Sequence, residues 1–251
     1  MIAMKRPSQR SAVAPVLLIG CFASLLWLER RRPLRPPVAP GIARLAANLL
    51  VGAGAALVVA AIEAPLADKL AVAVERRRFG LVPWLGLPRP GERLAALLLL
   101  DYSLYHWHVL LHRLPALWRW HRVHHADKDL DVSTALRFHA IEMLWSLPWR
   151  VAQVFLIGVD RVTLDLWRRL TVAEVFFHHA NLRLPDAVEA RLQCLVVTPR
   201  QHGIHHSDVQ AHQHANFSSG LALWDRLHGT ARSDVAQAAI TIGLPADEAA
   251  R

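Results

Sequence analysis

Two stretches, Ser11–Leu28 and Leu45–Ile62, contain no charged side chain, and each is just long enough to cross a hydrocarbon core of about 30 Å. Few folds are open to such a chain, because a backbone in lipid must satisfy its own hydrogen bonds and a helix does so within one segment. Composition agrees: 53% of the residues are hydrophobic, and 29 Lys+Arg outnumber 20 Asp+Glu. The arginines come in runs, Arg30 to Arg32 and Arg76 to Arg78, that punctuate the apolar stretches as basic flanks do. Nucleic-acid binding is disfavoured, since it would set the charge in a stripe on a soluble fold. The expected fold is all-α, an integral membrane helical bundle.

Lys5, Arg6 and Arg10 ahead of the first stretch imitate a signal peptide, but no small-residue cleavage site follows and Arg30 to Arg32 act as a stop, so the segment is expected to be retained. Leu94–Leu111 is a third candidate span. It carries Asp101, His106 and His108, and ionisable groups at membrane depth are costly unless they face a bundle interior or a site, so this helix is expected to run into the site. Ile141–Val159 and Val162–Phe177 read as a weaker hairpin around Gly158, interrupted by Pro148, Arg150, Asp165, Arg168 and Arg169, and only partly embedded. With Arg30 to Arg35 held inside, His112 and everything after it fall on the cytoplasmic face, including the loop around Asp127 to Asp131. The second basic run then needs residues 68–89 to form an interfacial amphipathic segment. Three regions follow: a membrane-anchoring part over 1–90, a catalytic part over 91–232 in which a cytoplasmic helical cap carries the site, and a tail over 233–251.

Three histidine clusters point to the chemistry: His108 and His112 in HWHVLLH, His121, His124 and His125 in HRVHH, and His202, His205 and His206 in HGIHH. Spacings of three and four residues place imidazoles on one helical face, so each cluster is expected to converge on a common point. Eight neutral nitrogen donors are enough for two metal ions, and imidazole selects a transition metal such as iron, zinc, copper or nickel over magnesium or calcium. Cys21 and Cys194 are the only cysteines, so neither a disulfide framework nor a thiolate zinc site is expected. No GxGxxG, Walker loop or tandem repeat is present.

From Asp101 onward the chain resembles the fatty acid hydroxylase/sterol desaturase superfamily of integral membrane di-iron enzymes. The resemblance runs over roughly Leu94 to Arg232 and is carried by DYSLYHWHVLLH, LWRWHRVHH, STALRFHAIE, FFHHANLRLP, TPRQHGIHHS and NFSSGLALWDRLHGT. It implies that the eight clustered histidines are metal ligands and that His179, followed by Asn181, is a ninth, with His178 as its substitute if the helix is rotated. Arg137, His139 and Glu142 match an Arg-x-His-Pro-x-Glu segment in which Ala140 replaces the usual proline. His139 is there either a ligand or a residue that orients ligands through hydrogen bonds. Asp101, Glu142 and Asp225 read equally well as acceptors for an imidazole N–H or as partners of an arginine. Asn216 belongs to the same set of supporting residues. His214 and His228 depart from the usual Asp and Phe, while His106 and His212 have no counterpart and read as ordinary polar histidines.

The function so implied is hydroxylation, or desaturation, of a C–H bond in a lipid, sterol or similar apolar substrate that arrives from the bilayer. Two non-haem iron ions would activate dioxygen, zinc being able to replace iron in overproduced protein. The chain has no flavin, haem-attachment or iron–sulfur signature, so electrons are expected from an external electron-transfer protein docking on the basic face. Two other classes compete. A divalent-metal transporter would need polar groups through its spans, and the two best spans are bare. A bis-histidine haem protein needs one histidine on each of two facing helices rather than adjacent pairs.

Overall fold

The computed structural model describes residues 13–39 and 41–249. Lys5, Arg6, Arg10 and the start of the first apolar stretch lie outside the described residues. Among the described residues every regular element is a helix, accompanied only by isolated bridges such as Pro33 with Leu182.

The long helices are α1 (Val13–Arg31), α2 (Ile42–Val58), α3 (Ala64–Arg77), α5 (Arg89–Arg113), α7 (Ala140–Ile157) and α8 (Arg161–His179), with the single turn α4 (Leu81–Trp84) before α5 and α6 (Pro115–His125) after it. The second apolar stretch is the core of a longer rod than the sequence indicates. α2 passes into α3 through a π-helical turn, Val59–Glu63, with αR backbone throughout. Pro65 gives the reason: it lacks an N–H and its ring crowds the carbonyl four residues earlier, and a widened turn accommodates both. Residues 68–77, expected to lie at an interface, form the second half of this rod and bury Ala71 and Val74 on a helix that packs against α7 and α8. Arg168 pairs with Asp68 there at 2.5 Å. Two helical stretches, Ile42–Trp84 and Arg89–Arg113, are long and apolar enough to cross a membrane.

The hairpin around Gly158 is present, and neither Pro148 nor Arg150 ends α7. At its tip Gly158 has φ 83° and Gly80 has φ 109°, and the two backbones touch: a Cβ on Gly158 would stand 2.5 Å from Pro83 Cδ and 2.6 Å from the Phe79 carbonyl. Gly158→Ala therefore combines left-handed strain with a clash against backbone, and it is expected to cost about 2 kcal/mol or more. A melting temperature equal to that of the wild type would refute this close approach.

α5 and α6 meet at a sharp corner. Leu114 is extended because Pro115 disfavours the helical region for the residue before it, and Pro115 then opens α6. This corner lays HRVHH against HWHVLLH. α1 packs on α8 and α2 on α7, and the start of the chain is tied to the cap: buried Glu29 accepts from Val132 N at 3.0 Å and Asn181 N at 2.9 Å, and Arg44 pairs with Asp127 at 2.7 Å.

Candidate metal centre

The cap is completed by α9 (Asp186–Leu192) and the short buried helix α10 (Pro199–His205). α10 starts at a capping box in which Thr198 accepts from Gln201 N and the Gln201 side chain accepts from Thr198 N. Thr198 is held in turn by Glu189 at 2.5 Å. Arg35 packs its guanidinium against Gly203, where any Cβ would collide with it.

Nine imidazoles meet at this end of the bundle in two groups. His108, His112, His121, His125 and His205 form one; His124, His179, His202 and His206 form the other; within each, the donor nitrogens lie within 4.8 Å of one another. Nitrogens about 2.1 Å from a shared ion stand up to about 4.2 Å apart when opposite each other, so both groups lie within a few tenths of an ångström of the dimensions of a metal site. The groups abut: the rings of His125 and His206 stack at 4.2 Å.

Each HxxHH divides between the groups, whereas the spacing had been expected to send it to one point. His121 and His125 go to the five-membered group and His124 to the other; His202 and His206 go to the four-membered group and His205 to the first. Helical geometry explains the division. Residues four apart share a face, but adjacent ones are about 100° apart and aim at different centres.

The supporting hydrogen bonds fix the tautomers. His108 Nδ1 donates to the Phe217 carbonyl at 2.6 Å, His205 Nδ1 to that of Ala215 at 2.8 Å, and His178 Nδ1 to that of Ser219 at 3.0 Å, so alternate residues of one segment support three rings. His179 Nδ1 donates to the Val175 carbonyl at 2.8 Å. With their protons on Nδ1, His108 and His205 turn bare Nε2 atoms toward each other at 3.1 Å, where no proton lies between them. Further buried ring nitrogens, among them His112 Nε2, His121 Nε2, both of His125 and His206 Nε2, have no protein partner. Lone pairs converging in this way fit a bound cation. Burial, reinforced by neighbouring imidazoles, holds His124, His125, His202, His205 and His206 well below the usual histidine range; burial takes His179 down to about 3. All are neutral donors at neutral pH.

The supporting residues separate by what they touch. Glu142 Oε1 lies 3.1 Å from His121 Nδ1, both side chains buried, and so orients an imidazole. Asp101 touches no imidazole; it accepts from Leu221 N at 3.1 Å and Trp224 Nε1 at 2.7 Å. Asp225 accepts from Phe217 N, Ser218 N and Thr230 Oγ1 at 2.7 to 2.9 Å. Asn216, at φ 53°, bonds the Gln201 and Arg232 backbone. All three thus secure the carbonyl segment over 215–221. Asn181 bonds the backbone N and carbonyl of Arg35, and Arg137 bonds the Val123 carbonyl and Asn48. His139 lies in neither group: its Nδ1 caps α7 by accepting from Ile141 N, and its ring packs on Trp120. His178 stands beside the four-membered group without joining it. His106 and His228 lie in an aromatic cluster with Tyr102 and Tyr105, and His212 bonds Ser207. Sequence reasoning missed the carbonyl segment, although most of it is the NFSSG run.

A cavity of about 280 Å³ opens onto both groups, with His108, His121, His124, His179 and His202 on one side and Trp107, Leu111, Phe138, Val175 and Phe176 among its apolar walls. A second cavity, of about 340 Å³ between α1, α2 and the 129–133 loop, touches none of the nine imidazoles. Glu142 also faces the first cavity, with Oε2 unpartnered. Glu142→Gln keeps the shape but weakens the orientation of His121, and it is expected to lower metal affinity about 10- to 100-fold. Competition with a chelator measures this, and an unchanged affinity would remove Glu142 from the site.

The chain is similar over 158 residues to an ornithine lipid hydroxylase of Rhizobium tropici, at 30% identity, covering 62% of this chain and 46% of that protein. It is 24% identical over 156 residues to an alkylglycerol monooxygenase of Homo sapiens, covering 62% of this chain and 33% of that one. A cholesterol 25-hydroxylase of Homo sapiens is 27% identical over 143 residues, covering 56% of this chain and 51% of that protein. The matched region thus spans a third to a half of these relatives. No solved structure matches the chain. The fatty acid hydroxylase family model matches residues 93–230, which hold every imidazole of both groups together with the carbonyl segment beneath them, and the chain belongs to that family.

Proposed function

We propose that the protein is a membrane-bound oxygenase that holds two iron ions, one in each imidazole group, and hydroxylates a C–H bond of a lipid lying in the 280 Å³ cavity. The observation that carries this reading is the facing pair of bare Nε2 atoms on His108 and His205, the first of which also lines the cavity. Iron held by imidazoles and supplied with electrons activates dioxygen for attack on an unactivated C–H bond. The chain's own residues do the rest. The carbonyls of Ala215 and Phe217 keep His205 and His108 in the metal-binding tautomer, Glu142 does the same for His121, and the apolar walls exclude water and position the chain to be oxidised. Relatives named for ornithine lipid, alkylglycerol and cholesterol support a lipid or sterol-like substrate. Electrons would come from a separate electron-transfer protein.

The uncovered apolar surface supports a bilayer setting. Ile42, Leu50 and Leu57 on α2 and Trp145 and Leu156 on α7 are all more than half exposed, a surface suited to lipid. Arg30 to Arg35 lie at the same end of the bundle as the imidazoles, since Asn181 bonds Arg35 and Arg35 packs on Gly203. Under the positive-inside rule this arrangement favours the cytoplasmic face for the centre. A cysteine introduced at Lys128 is accordingly expected to resist an impermeant thiol reagent in intact cells, and labelling from outside would reverse the orientation.

The test of function is oxygen uptake by iron-loaded protein in lipid nanodiscs with a reductant, followed by mass spectrometry of the lipid. The expected product is heavier by one oxygen, or lighter by two hydrogens if desaturation wins. Protein that consumes no oxygen with any lipid class but carries divalent metal into liposomes is a transporter instead.

A further inference from the structure

The cavity is not apolar throughout. Away from the imidazoles its wall includes Arg150 on α7 and Thr171 on α8. Arg150 is loosely held for a partly buried cation: Nη1 lies 3.4 Å from Gln153 Oε1, Nε lies 3.9 Å from Glu63 Oε1, and Nε makes no hydrogen bond. Its guanidinium lies over the Trp167 ring at 5.1 Å, and Thr171 is one turn further along the same helix. The buried Thr171 hydroxyl has no partner, not even the helix carbonyl that threonine commonly bonds. Two residues that line this cavity, Arg150 and Thr171, therefore carry buried hydrogen-bond donors without acceptors. A region of this kind is complementary to an oxygen acceptor brought by a ligand.

We propose that Arg150 and Thr171 anchor the carbonyl-type oxygen of an acyl lipid and so set which carbon is oxidised. Thr171 precedes His178 and His179 by seven and eight residues on α8, and Arg150 follows Glu142 by eight on α7, so the anchor stands about 10–12 Å from the imidazole layer. An acyl chain held there by its ester or amide presents a carbon several bonds away to the metal centre. At about 280 Å³ the cavity holds a chain segment rather than a whole lipid, which leaves the remainder in the bilayer. The choice of oxidised carbon rests on the oxygenase reading above; the binding preference does not.

The probes are methyl palmitate and hexadecane, which share an alkyl chain and differ in the ester, and the readout is ligand-induced thermal stabilisation of the full chain in detergent. Wild type is expected to bind methyl palmitate about tenfold more tightly than hexadecane. Thr171→Val, an isosteric change at a hydroxyl with no internal partner, and Arg150→Met should each remove most of that preference while leaving hexadecane binding unchanged. Equal affinity of wild type for the two probes, or full ester preference in both variants, would overturn the proposal. In turnover of methyl esters of different chain length, the oxygen should stay at a constant distance from the ester. A position constant from the methyl end would also overturn it, whereas absence of turnover bears only on the oxygenase reading.

Discussion

Replacing His206 with alanine is expected to strip metal from the four-imidazole group and reduce oxygenation more than about 100-fold, beyond the 10- to 100-fold typical of losing an outer partner. Three imidazoles would remain there, whereas His125→Ala leaves four in the other group, so His206→Ala should lose metal more completely while both lose activity. His106→Ala and His212→Ala serve as controls, because these side chains lie outside both groups; their effects should stay within about 0.5 kcal/mol, the range of ordinary surface changes. Metal analysis and oxygen uptake on the four variants decide the matter. Controls as damaging as the ligand changes would show that the assignment of ligands is wrong.

The second large effect is expected at a residue that touches no imidazole. Asp225→Ala leaves the buried N–H groups of Phe217 and Ser218 without an acceptor, at about 1–3 kcal/mol each, and frees the Thr230 hydroxyl. The carbonyls of Ala215 and Phe217 then lose their fixed positions, and with them the tautomers of His205 and His108. Melting of the metal-free protein should fall sharply, and metal affinity should fall in parallel. Asp225→Asn, which retains an accepting oxygen, should recover part of both. A variant that loses stability but binds metal as tightly as wild type would show that the segment supports the fold and not the imidazoles.

Helix periodicity made the donors legible in the sequence, because spacings of three and four residues are a local property of the chain. The assignment of each donor to an ion was not legible, since it depends on how three helices are turned toward one another, and the division of each HxxHH appears only once α5, α6 and α10 are packed. Asp101, Asn216 and Asp225 stand near the centre without bonding an imidazole, because their partners are backbone groups of 215–221 and backbone partners leave no trace in residue identity. Asn181 is the same case: its side chain reads the backbone of Arg35, 146 positions away. The α2–α3 rod was legible as an apolar stretch, but not its continuation through Pro65, because a proline inside a helical pattern reads as an end or a kink and not as a widened turn that carries the helix on.

The count of metal ions per chain tests the central claim most directly, measured on purified protein supplied with iron and, separately, with zinc. Two complete imidazole groups predict about two ions per chain with either metal, and a clear reduction in His206→Ala. A wild-type count of one or none, or a count that His206→Ala leaves unchanged, would contradict the account.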